Sequence, residues 1–133
     1  MLPRRRKRWT GTRVRFALLL LAAGGCMRRD PQRELRATVD EAIAMLDRGD
    51  HAQFLERFVA PDERERVLGG APLEVRARQF GQQAGARMLR RLRAVRPADC
   101  RLDEQKHEYD CLVGAMEPDL VFAKIAGRWY LRN

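Results

Sequence analysis

From residue 31 to residue 97 apolar side chains recur every third or fourth position, and from residue 97 onward they recur every second one. That change of period divides the chain into a helical part followed by a strand part. Leu35, Val39, Ala42, Ile43 and Leu46 define one face of a first helix. Asp30 stands ready to accept a free backbone N–H at its start, Pro31 has a backbone angle suited to the first helical position, and Gly49 supplies a left-handed stop. Asp50 restarts the chain, with Gln53 three residues on as in a capping box. Phe54, Leu55, Phe58 and Val59 form the apolar side of a short second helix that must end before Pro61. Residues 62–68 predict one or two helical turns closed by Gly69 and Gly70. Pro72 opens the last helical stretch, whose apolar positions are Leu73, Ala77, Phe80, Ala84, Met88, Leu92 and Val95. Gly81 and Gly85 each cost about 1 kcal/mol against Ala in a helix, so a bend or break is expected there, and Pro97 ends the run.

The strand part is organised by Cys100 and Cys111. Placing them opposite each other sets Leu102 against Tyr109 and Arg101 against Asp110, around either a tight turn at Gln105 and Lys106 or a four-residue loop in the same register. Cys100, Leu102, Tyr109, Cys111 and Val113 then share an apolar face, and an Arg101–Asp110 salt bridge lies on the other. A second hairpin follows, from residues 120–125 and 128–131 joined at Ala126 and Gly127. Helices first and antiparallel strands afterwards predict an α+β domain, with the N-terminal helices packed on one face of a C-terminal sheet.

The residues before this domain have the layout of a secretory signal: a basic stretch to Arg15, an apolar run over residues 16–23, then Gly24 and Gly25 before Cys26. The uncharged stretch of residues 16–27 is too short to span a bilayer, which takes about 20 apolar residues. Ala23-Gly24-Gly25-Cys26 resembles the bacterial lipobox, in which the cysteine is lipidated on sulfur and becomes the mature N-terminus; the lipobox pattern prefers Leu where this chain has Ala23. The expected organisation is a signal peptide over residues 1–25, a lipidated Cys26 with a short tether over residues 26–32, and a domain over residues 33–133. Cleavage that releases a soluble periplasmic or secreted protein, and a true start at Met27 that leaves it cytosolic, are the alternatives.

The chain carries a formal charge of +9, but seven of its 27 basic residues precede Cys26, where no acidic residue is found. From Cys26 onward 20 basic residues face 18 acidic ones. Nucleic acid is therefore not an expected partner. Export also changes the reading of Cys100 and Cys111, because disulfides persist in oxidising compartments.

The run AMLDRGDHAQF (residues 44–54) resembles the first helix and turn of small bacterial nuclear transport factor 2-like domains, and VFAKIAGRWYL (residues 121–131) is similar to their last hairpin. With the segment order, the resemblance covers most of residues 33–133. It implies a bent sheet wrapped around a long helix as a cone, in a superfamily that includes exported lipoproteins, ligand-binding or dimerising proteins, and isomerases, dehydratases and cyclases. Both motifs belong to the fold. Gly49 and Gly127 serve turns, and Phe54, Trp129 and Tyr130 are core or cone-wall positions, so no catalytic residue is carried over.

The sequence has no HExxH, GxSxG, Walker, GxGxxG or CxxC motif. Cys100, His107 and Cys111 suit zinc by chemistry, yet no fourth ligand is evident and export favours the disulfide, so neither a metal nor another cofactor is expected. His51 beside Asp50 is the weak catalytic candidate, since an imidazole titrates near neutral pH. In the competing reading Asp50 caps the helix and His51 faces solvent. Glu56 with Arg57, or Asp119, would serve at a cone mouth as acid and anion anchor. Arg76, Arg78, Arg87, Arg90, Arg91, Arg93 and Arg96 form a basic stripe, read first as a solvated face and second as a membrane-surface contact.

The expected function is that of a membrane-anchored lipoprotein domain, non-enzymatic, binding a small ligand or a protein. A small acid–base enzyme of the same fold and a structural envelope protein acting as a homodimer through its sheet are the alternatives. A cone filled by Phe54, Phe58, Phe80 and Trp129 speaks against the enzyme.

Overall fold

The computed structural model describes residues 30–132, so the signal segment, Cys26 and most of the tether lie outside the described residues. Helix α1, Pro31–Asp47, begins as its sequence dictates: the Asp30 carboxylate accepts the backbone N–H of Gln32 at 3.0 Å. It closes at Gly49, whose φ of 74° is the left-handed conformation that glycine adopts without a Cβ clash. Helix α2, His51–Phe58, follows at once. The expected cap does not form there, because Asp50 turns its carboxylate to the Arg48 guanidinium at 2.9 Å instead.

Helix α3, Arg64–Leu68, is a short segment with no fully buried residue. Helices α4, Leu73–Phe80, and α5, Ala86–Ala94, are joined without a break by a π-turn over Gly81–Gly85. The bend expected at the two glycines is thus realised as a widened turn within one continuous helix.

Strands β1, Arg101–Asp103, β2, Glu108–Cys111, β3, Leu120–Ile125, and β4, Arg128–Arg132, pair in sequence order as an antiparallel meander. Cys100 and Cys111 are bonded, and the first hairpin has the register that their pairing requires, with Arg101 opposite Asp110 and Leu102 opposite Tyr109. Its turn is the four-residue loop, set by Asp103, which accepts the backbone N–H groups of Gln105 and Lys106, and by His107 at φ 53°. The second hairpin turns on Ala126 and Gly127, both left-handed, as a two-residue turn between twisted strands requires.

The core lies between the helices and one face of the sheet. Leu35, Val39 and Leu46 of α1 and Phe54 and Phe58 of α2 meet Tyr109, Leu120, Phe122 and Trp129. Two first-hairpin expectations are corrected. Leu102 remains 37 % exposed, because its three-residue strand is the sheet edge, and Arg101 and Asp110 form no ion pair although they are cross-strand partners. The fold is α+β, helices then a four-stranded antiparallel sheet. No described helix is long and apolar enough to cross a membrane.

Candidate functional site

His51 sits at the first position of α2, and its imidazole lies across the π-turn rather than in solvent. A Cβ built on Gly81 would stand 2.5 Å from Nδ1, and one on Gly85 would stand 3.1 Å from Nε2. The two glycines therefore leave the space that the ring occupies. A row of rings continues inward: His51 meets Phe80 edge-on at 5.8 Å, Phe80 stacks on Phe54 at 5.4 Å, and Phe54 leans on Phe58 at 5.2 Å. The outer side of His51 borders an open, polar groove of about 460 Å³ that also includes Asp50, Gln53, Glu74 and Arg78.

This geometry does not join His51 and Asp50 into a catalytic pair. Asp50 is engaged by Arg48, and no hydrogen bond links its carboxylate to the imidazole. Phe54, Phe58 and Trp129 are buried and Phe80 is half-buried, so the space beneath the sheet is filled by side chains. Among the described residues no acid–base pair is enclosed with His51 in an apolar cavity; its groove is open and polar.

Arg57 is not an anion anchor. Its guanidinium makes a two-pronged contact with Glu41 at 3.1 Å on each side and donates to the Trp129 carbonyl at 2.9 Å. Its charge also lies 4.6 Å from the Phe58 ring centre. Together these contacts tie α1, α2 and β4, a role that no local sequence signal reveals, since the partners are 16 and 72 residues away. Glu56 is exposed and points to no such network, although its carbonyl accepts a bond from Arg64.

The basic stripe is divided among separate contacts. Arg87 holds Glu117 at 2.8 Å, Arg91 donates to the Pro118 carbonyl at 2.6 Å, and Arg93 pairs with Asp47 at 2.6 Å. The Arg87 hydrogen bond keeps the Glu117 carboxyl below the usual range. These arginines clamp the loop before β3 and the end of α1, leaving Arg78, Arg90 and Arg96 exposed.

Asp119 is exposed beside Asp110 on the outward side of the sheet and not at a cavity mouth. Burial, the neighbouring Asp119 carboxyl and Glu108 push the Asp110 carboxyl above its ordinary range, against a smaller opposing pull from Arg101. One of its oxygens is buried without a hydrogen-bond partner.

No protein-family model, curated protein or solved structure matches this chain. Its chemistry is accordingly read from the side chains. The disulfide occupies both cysteine sulfurs, so the Cys100, His107 and Cys111 set is not a zinc site. Among the described residues no group of three or more His, Cys, Asp or Glu side chains is placed to hold a metal ion.

Other hollows lie among the described residues. One lies at the sheet edge, about 420 Å³, and includes Leu102, His107, Lys124 and Trp129. Two more flank α3 and have mainly apolar linings.

Proposed function

We propose that the chain is an exported, membrane-anchored binding domain, a compact relative of nuclear transport factor 2-like domains in which the cone is reduced to a four-stranded sheet with a filled interior. The Cys100–Cys111 disulfide is the observation that carries this reading, because such a bond persists outside the reducing cytoplasm. It agrees with the signal layout of residues 1–25 and with Cys26 as the lipid attachment point. Binding is favoured over catalysis by the separation of His51 from Asp50 and by hollows that lie around the helices. The segment order, the Gly49 turn and the Ala126–Gly127 hairpin support the family resemblance.

Fractionation of cells expressing the full chain with its own leader tests the proposal. The natural protein is expected in the membrane fraction, with an N-terminal peptide beginning at acylated Cys26, and Cys26→Ser is expected in the soluble extracytoplasmic fraction. Unchanged membrane association of Cys26→Ser overturns the anchor, and recovery in the cytoplasm overturns export.

A further inference from the structure

Helix α3 covers apolar surface without being buried by it. On one side lies a cavity of about 160 Å³ lined by Leu55, Val59, Leu68 and Leu73, with Glu56 and Arg64 at its polar part. On the other lies one of about 210 Å³ that includes Leu55, Val67, Phe80 and Ala84, with Arg76, Gln79 and Gln83 as its polar part. Leu55 lines both, so the two hollows share a floor on α2, with Val67 and Leu68 of α3 at their sides.

The ends of α3 favour hinging. Pro61 precedes it, and Gly69 and Gly70 follow at φ 56° and 73°, a left-handed pair that absorbs a change of direction. Two hydrogen bonds hold the helix, from Arg64 to the Glu56 carbonyl at 2.8 Å and from Arg76 to the Leu68 carbonyl at 2.6 Å, and an ion pair with Arg132 holds Asp62 just before it.

We infer that these two cavities are the halves of one site for a small anionic amphiphile, a ring-sized or short-chain apolar group bearing a carboxylate or similar charge, with α3 as its lid. This inference rests on the binding-domain reading. An apolar cavity of about 150 Å³ accommodates a benzene-sized group, which sets the scale of the apolar part. The charge follows from the arginines. Arg57, Arg87, Arg93 and Arg132 all meet carboxylates, whereas Arg64 and Arg76 meet neutral oxygens, Arg76 adding the Gln79 amide at 3.0 Å. Two guanidinium groups against the one Glu56 carboxylate leave the rim positive. Phe80 and Ala84 come from the edge and interior of the π-turn, and such turns recur at functional sites.

Octanoate is the probe, with octanol as its uncharged counterpart, titrated into the full chain carrying Cys26→Ser and purified without detergent. Ligand-observed magnetic resonance is expected to show saturable one-to-one binding of octanoate and about tenfold weaker binding of octanol. Replacing Arg64 and Arg76 by Ala is expected to remove that preference. Leu73→Trp with Ala84→Phe, which fills both hollows from half-buried positions, is expected to abolish binding while circular dichroism and the melting transition remain those of a folded protein. Should the filled protein be unfolded, competition by octanoate against a nitroxide-labelled fatty acid, with broadening mapped to Leu55 and Leu73, decides the same question on the natural sequence. No saturable binding, or binding that survives filling, overturns the site. Binding that survives filling, with nitroxide broadening mapped to Leu102 and Lys124, puts the ligand at the sheet edge, which overturns the α3 site but leaves the binding-domain reading standing.

Discussion

The imidazole of His51 occupies the space that a side chain at Gly81 would need, with Nδ1 2.5 Å and Cε1 2.6 Å from the ideal Cβ position. At φ −57° Gly81 is otherwise in ordinary helical backbone, where alanine is favoured over glycine by about 1 kcal/mol. Two opposing effects therefore meet at one position. In the natural protein Gly81→Ala is expected to destabilise by roughly 1–3 kcal/mol, because the rigid ring has to move. Combined with His51→Ala, the same change is expected to stabilise. A double-mutant cycle by urea unfolding reads the difference, and additive effects would show that the ring does not hold the glycine in place.

The Arg57 network predicts a large effect at a position with no part in a cavity. Arg57→Ala leaves the Trp129 carbonyl without its guanidinium donor and frees Glu41 from its two-pronged partner. The arginine side chain is 15 % exposed but its Glu41 partner is 41 % exposed, so the expected loss is about 1–3 kcal/mol in urea unfolding. Arg57→Lys is expected to recover only part of it, since an ammonium cannot reproduce the planar fork.

Asp110 makes one contribution to stability that is lost as pH rises through its folded pKa. Burial and the Asp119 carboxyl raise its folded pKa above the ordinary value, so the folded state holds its proton longer than the unfolded chain does. The contribution is fully present below the unfolded pKa and is lost as pH rises through the folded one. Asp110→Asn is expected to raise the unfolding midpoint at pH 7 and to flatten this part of the pH profile. An unchanged profile in the variant would mean that Asp110 does not carry the effect.

The disulfide closes a loop with a sequence separation of 11 and is expected to contribute about 3 kcal/mol. Non-reduced protein should be two hydrogen atoms lighter than reduced protein by intact mass. Replacing both cysteines by alanine should lower the unfolding free energy by about that amount, and equal masses would exclude the bond.

How much of this was legible in the sequence depended on the range of the interactions. Gly49 and the Asp30 cap act within a turn, and both hairpins were readable because the cysteine pair and the Ala126–Gly127 turn fix register locally. The Asp50 cap was misread because Arg48, two residues away, competes for the same carboxylate. Neither reading of His51, as a catalytic partner of Asp50 or as a solvent-facing residue, anticipates its seat, because that seat is made by residues 30 and 34 positions further on. Two glycines four apart in a helix carried the available signal, a strip of bare backbone against which something must pack. Arg57 and the divided arginine stripe had no local signal, since their partners come from other elements.

The ties at the two ends of β4 set the direction in which a tethered molecule would look. Glu34 on the first turn of α1 bonds Lys124 and Trp129, so the chain enters the fold beside the hairpin turns. At the other end of β4, Leu131 bridges to Val59 and Arg132 pairs with Asp62, just before α3. Only Met27, Arg28 and Arg29 lie between Cys26 and Asp30, a leash that reaches about 14 Å at full extension. With lipid on Cys26, the hairpin turns would face the bilayer and the α3 end of the domain would face away from it.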